Sequence, residues 1–191
     1  MKSVDWSKRG SWNSLILIWV VIGIGWIVLS RVPQGEDEKG SIEQALPQVG
    51  YLAPALEGVT LSGSPIRLDD VQGKVVLINF WATWCPPCRL EMPAMQALYA
   101  HYYDQGFEIL AVNLQEQDDQ MSVFVNEMGL TFPVIVDRTG DLSSAYRVTS
   151  LPTTFIVDRE GIIRDRIVGG PLAEALLESK ITPLLETTGG E

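Results

Sequence analysis

From Val49 onward the chain alternates between two hydrophobic periods, and the switches mark its elements. Apolar positions alternate from Ala55 to Leu68, with Gly58, Gly63 and Pro65 as turn marks, which predicts an opening hairpin. Lys74 to Phe80 contains the unbroken run Val75-Val76-Leu77-Ile78, the signature of a strand buried on both faces. From Pro86 to about Tyr103 the period becomes helical. Leu90, Ala94, Ala97 or Leu98, and His101 or Tyr102 define its predicted inner face, and Pro93 predicts a kink. Phe107 to Asn113 reads as a second buried strand. Asp118-Asp119 opens a helix that carries Met121, Phe124, Val125 and Met128 to a stop at Gly129. Pro133 to Val136 predicts a third strand and Asp141 to Tyr146 a short helix. Thr153–Val157 and Ile162–Val168 form a hairpin around Asp158-Arg159-Glu160-Gly161, and Pro171–Leu185 closes the chain as an amphipathic helix. The order βαβαβ, then a hairpin and a helix, predicts an α/β fold with a mixed central sheet covered by helices on both faces.

The amino end follows a different rule. Residues 10–30 run 21 positions without a charge, and every side chain from Leu15 to Leu29 is apolar or glycine. As a helix at about 1.5 Å per residue, this reaches roughly 30 Å, a bilayer's hydrocarbon core. Trp12 is placed to sit at one interface. A cleaved signal peptide is the rival reading. However, Leu29-Ser30-Arg31-Val32-Pro33 offers no small-x-small cleavage site, so an uncleaved signal anchor fits better. Lys2, Lys8 and Arg9 precede the span, while Arg31 is soon followed by Glu36-Asp37-Glu38. The positive-inside rule then keeps the amino end in the cytoplasm and exports the rest. The expected organisation is a cytoplasmic end at 1–11, one transmembrane helix at 12–30, a Pro-, Gly- and charge-rich linker at 31–48, a domain at 49–187 and a tail at 188–191.

Charge narrows the partners. Residues 33–191 hold 10 Lys and Arg against 23 Asp and Glu. Such a surface repels phosphate backbones, which argues against nucleic acid.

The chemistry is carried by the only two cysteines, in Trp84-Cys85-Pro86-Pro87-Cys88. They stand between the first strong strand and the helix after it. At such a junction unpaired backbone N–H groups and the helix dipole favour a thiolate at Cys85. Cys88 follows nearly one turn later, within reach of a disulfide with Cys85. Two zinc ligands are present, but no second Cys or His pair completes a tetrahedral site, so no metal and no other cofactor is expected. His101, the sole histidine, reads as helix-face filling. A structural staple is a further alternative, but a disulfide spanning so few residues constrains little chain.

Asn79-Phe80-Trp81-Ala82-Thr83-Trp84-Cys85-Pro86-Pro87-Cys88 and the later Leu151-Pro152-Thr153-Thr154, with an extra strand and helix between them, resemble the thioredoxin superfamily. The likeness is to its membrane-anchored extracytoplasmic branch of the ResA/TlpA/CcmG (DsbE) type, and covers roughly Val49 to Leu185. The resemblance implies a thioredoxin-like fold and a protein thiol–disulfide oxidoreductase, with Cys85 as nucleophile and Cys88 as resolving thiol. It implies that Pro152 is cis, leaving the Leu151 backbone free to pair with a client strand. Trp84, Pro86 and Pro87 would shape the docking surface. Asn79 stands where cytoplasmic members carry a buried aspartate, and Asn cannot take a proton. Glu116 matches the acid that the ResA-like group places beneath its active site, which would exchange protons with the thiols; in so polar a segment it also reads as a solvated loop residue. The implied client is a disulfide-containing protein such as apocytochrome c during cytochrome c maturation. The implied electron donor is a transmembrane thiol reductase, and the implied location is the outer, or periplasmic, face of a bacterial cytoplasmic membrane. Two alternatives use the same residues: an oxidant that introduces disulfides, and a non-catalytic module that binds copper or a partner.

Overall fold

The structure is a computed structural model and describes residues 45–187. The expected cytoplasmic end, the span at 12–30, residues 31–44 of the linker and the tail at 188–191 lie outside the described residues. Among those described, no helix is long and apolar enough to cross a membrane. Residues 45–48, expected to end the linker, are already tied to the fold: Leu46 N donates to Leu52 O at 2.9 Å, and Pro47 is buried.

Five strands form one mixed sheet in the order β5-β4-β3-β6-β7. They are β3 (Val75–Trp81), β4 (Phe107–Leu114), β5 (Val134–Asp137), β6 (Thr153–Val157) and β7 (Ile163–Val168). The β3–β4 and β4–β5 pairs are parallel, whereas β6 runs antiparallel to both β3 and β7. β3 lies in the middle and is buried along its whole length, as its unbroken apolar run predicts. Its side chains alternate strictly. Val75, Leu77 and Trp81 join one core, and Val76, Ile78 and Phe80 join the other.

Three helices supply the first core: α1 (Pro86–Tyr102) with Met92, Met95 and Leu98, α2 (Asp118–Met128) with Phe124, and α4 (Glu174–Glu186) with Leu177 and Ile181. The second face has shorter cover, from α3 (Asp141–Ala145) and a 3-10 turn at Leu68–Val71. Tyr146, just after α3, anchors this core. Its ring lies 5.2 Å from both Phe80 and Phe155, and its hydroxyl donates to Pro54 O at 2.6 Å. The opening hairpin, β1 (Glu57–Val59) and β2 (Pro65–Arg67), is a separate two-stranded sheet. It covers the free edge of β5 through Leu61 N donating to Val134 O at 2.8 Å. Gly58 permits this approach, because a Cβ there would stand 2.7 Å from Ile135 Cγ2.

The inner face of α1 matches the expected one at Leu98 and Tyr102 and differs from it at Leu90. Leu90 is 68% exposed and Ala97 is exposed, while Cys88, Glu91, Met92, Met95, Leu98 and Tyr102 are buried. The helix turns Met92 and Met95 into the core that Val75, Leu77 and Trp81 of β3 also join. Leu90, five positions before Met95, then lies about 140° round the helix from it. The closing helix begins at Glu174 rather than Pro171. The segment from Gly169 to Ala173 instead turns across the buried end of α1, where Leu172 N meets the Glu91 carboxylate.

Candidate active site

Cys85 is the N-cap of α1, and Pro86 and Pro87 fill its first two helical positions. Proline suits those positions because its missing N–H has no helical partner there. The first amide of the helix able to donate is therefore that of Cys88, and it donates to Cys85 Sγ at 3.3 Å. The two sulfurs are joined in a disulfide. Their surroundings differ. Cys85 lines a groove of about 580 Å³ with Trp84, Pro86, Pro87, Leu114 and Leu151, whereas Cys88 is completely enclosed.

Among the described residues, no charged side chain lines that groove. Trp84, 67% exposed, stands at its rim. The opposite wall is Val148-Thr149-Ser150-Leu151, and Gln115 contributes from the end of β4. Gln115 and Arg147 flank the groove with φ of 53° and 49°, left-handed values that side chains rarely adopt. The Leu151–Pro152 peptide is cis, as the resemblance implies. Among the described residues, no backbone hydrogen bond engages Leu151.

Beneath the pair lies a polar cluster that the sequence pattern does not reveal. Glu91 is one turn after Cys88 on the same helix face and is fully buried. Its Oε1 accepts from Asn79 Nδ2 at 2.9 Å and its Oε2 from Leu172 N at 3.2 Å. Asn79 also donates to Thr154 Oγ1, its partner across the β3–β6 ladder, at 2.9 Å. Gly170 closes the cluster: a Cβ there would stand 2.6 Å from Glu91 Oε2 and 2.8 Å from Pro152 Cγ. Burial pushes the Glu91 carboxyl up to about 7, against the downward pull of its two donors. The position on the strand that cannot take a proton is thus faced by a titratable carboxyl on the helix.

Glu116 is also buried, on the other side of Cys85, and is not a solvated loop residue. Its carboxylate accepts from Thr83 N at 2.7 Å, from Asn113 Nδ2 at 2.6 Å and, in a short contact, from the Thr83 hydroxyl. Those bonds fix the turn that delivers Trp84 and Cys85. Arg89 braces the same turn, donating to Thr83 O at 3.3 Å while its guanidinium lies over Phe124.

Residues 49–166 match the AhpC/TSA family, more than half of the chain. The chain belongs to that family. Its matching relatives include thiol–disulfide oxidoreductases. Over 157 residues it is 45% identical to the thiol–disulfide oxidoreductase ResA of Geobacillus thermodenitrificans, covering 82% of this chain and 86% of the relative. It is 36% identical over 181 residues to ResA of Oceanobacillus iheyensis, covering 93% of this chain and 90% of that one. A solved structure of a thiol:disulfide interchange protein from Chlorobium tepidum superposes with a TM-score of 0.66 at 31% identity, covering 70% of this chain and 95% of the other. This AhpC/TSA member is accordingly a thiol–disulfide oxidoreductase of the ResA type, with a thioredoxin-like fold.

Proposed function

We propose that the protein reduces disulfides in client proteins outside the bacterial cytoplasmic membrane, held there by the signal anchor at 12–30. The observation that carries this reading is the asymmetry of the pair. Cys85 faces an uncharged groove, while Cys88 is sealed one turn from a carboxyl tuned to about 7.

In the reduced enzyme, Cys85 thiolate attacks one sulfur of a client disulfide. The Cys85–client bond forms, the client's S–S bond breaks, and the second client sulfur leaves as a thiolate. Cys88 then gives its proton to Glu91 and attacks Cys85 Sγ. The Cys85–Cys88 bond forms, and the first client sulfur leaves with the electron pair. Two electrons have passed from the dithiol to the client. The Leu151 backbone and the walls at Trp84, Pro86 and Pro87 hold the client strand; Pro152 packs beside Glu91 and Gly170. A group with a pKa near the working pH suits this exchange, because it is ready both to accept and to return a proton. Glu116, with its oxygens engaged by Thr83 and Asn113, positions the nucleophile's turn.

The client class is an extended, uncharged segment around a disulfide, for which the Cys-x-x-Cys-His segment of apocytochrome c is the proposed example. A transmembrane thiol reductase returns the electrons. The deciding measurement is the reduction potential of the Cys85–Cys88 pair in the full-length protein, by equilibration with a dithiol buffer. A value near or below about −270 mV supports the reductant, while one near −120 mV makes the protein an oxidant and removes the cytochrome-maturation reading.

A further inference from the structure

The Asn79 amide has two partners at one end and none at the other. Its side chain is fully enclosed between β3, β6 and α1. One end of the amide, Nδ2, donates to both Glu91 Oε1 and Thr154 Oγ1 at 2.9 Å. The other end, Oδ1, is buried with no hydrogen-bond partner among the described residues. A buried amide left half-satisfied is costly, and native interiors seldom retain one without a use for it.

The two ends of a carboxamide have nearly the same shape but opposite polarity. With Glu91 ionised, the atom facing it must donate, and Nδ2 does. With Glu91 protonated, its O–H needs an acceptor at the same place. A half-turn about the last side-chain bond brings Oδ1 there, and its two lone pairs match two donors: the Glu91 O–H and the Thr154 hydroxyl, whose hydrogen rotates to suit. In either arrangement the end facing Glu91 and Thr154 is fully used. At that end the fit is retained while only the proton and the amide move.

We propose that Asn79 is a positioning residue for the Glu91 proton, its amide reversing end for end as Glu91 gains and loses that proton. The proposal rests on the reading of Glu91 as the acceptor of the Cys88 proton, and it explains how a sealed carboxyl changes charge without its surroundings being rebuilt. Few other groups can compete. The titratable neighbour on the same helix is Cys88. β6 presents the neutral Thr154, and the loop from Gly169 to Leu172 presents backbone; no charged side chain shifts the Glu91 carboxyl.

The test is a pH titration of the full-length chain in detergent micelles, with 15N in asparagine and 13C in glutamate. The Asn79 side-chain NH2 signals are expected to move with pH at the midpoint of the Glu91 carboxyl carbon, and to become flat in Glu91→Gln. In Asn79→Leu the ionised carboxylate loses its side-chain donor while keeping Leu172 N. The proton affinity of Glu91 should then rise about tenfold. Asn79 signals that stay flat while Glu91 titrates overturn the proposal, and so does an affinity within twofold of wild type in Asn79→Leu. The wild-type titration needs no variant and decides the matter even if Asn79→Leu does not fold. Failure of the underlying reading shows elsewhere. If Glu91→Gln exchanges thiols with an unchanged pH profile, Glu91 is not the proton carrier, whatever Asn79 does.

Discussion

Two glutamates are buried on either side of the Cys85–Cys88 pair, and their partners divide the work between them. Glu116 faces three donors, two of them from Thr83, and is built into the turn before the nucleophile. Glu91 has two donors, no cation beside it among the described residues and a fully enclosed setting, so burial dominates and raises its carboxyl to about 7. In our proposal the same side chain is a brace in one place and a proton carrier in the other. At Glu91 the two hydrogen bonds do not offset the water lost on burial.

The sharpest separation is at the thiols. Cys85→Ser should bring insulin reduction to background, while Cys88→Ser should accumulate a mixed disulfide through Cys85, visible on a non-reducing gel; trapping by Cys85→Ser instead would reverse the roles. Next is Glu91→Gln, which should slow exchange by about 100-fold near neutral pH, in the range of lost general acid–base catalysis, and flatten the pH profile of the step.

The stability of the two proteins should also diverge with pH. The folded pKa of Glu91 lies above its unfolded value of 4.5, so the unfolded chain releases this proton first as pH rises. The favourable contribution is whole below about pH 4.5 and is lost as pH climbs through about 7, a swing on the order of 3 kcal/mol. Urea unfolding at pH 5 and pH 8 should show that loss in wild type and not in Glu91→Gln. An equal loss in both would assign it to other groups. Glu116→Ala should behave as a brace: about 1–3 kcal/mol less stable at both pH values, with the pH profile of exchange retained. Gly170→Ala should cost a similar 1–3 kcal/mol by forcing Glu91 and Pro152 apart. The smallest effect is expected at Leu90→Gln, within about 0.5 kcal/mol, against 2–5 kcal/mol for the enclosed Met92→Ala.

That last pair shows where the sequence could be read and where it could not. β3 and β4 were legible because strands buried on both faces need unbroken apolar runs, and the cysteine motif located the site at their ends. The first turns of α1 were not. Leu90 and Ala94 have the helical spacing of an inner stripe that continues to Leu98 and Tyr102, yet Leu90 is exposed and Glu91 beside it is buried. Its burial depends on Asn79 from a strand and on Gly170 and Leu172 some 80 positions away. Only the folded chain brings these together. The groove wall at Val148-Thr149-Ser150 was hidden for the same reason, since its position depends on pairing across the sheet. The signal that was available was the three-residue step from Cys88 to Glu91, which puts both on one helix face. Asn79, already noted as lacking an exchangeable proton, pointed to the need for another acid nearby.

The two prolines after Cys85 have a consequence for anyone seeking to capture clients. Because neither carries an N–H, the donor that holds Cys85 Sγ belongs to the backbone of Cys88, not to its thiol. Removing that second sulfur therefore deprives the enzyme of release while leaving the grip on the first sulfur in place. Such a bait keeps its bite.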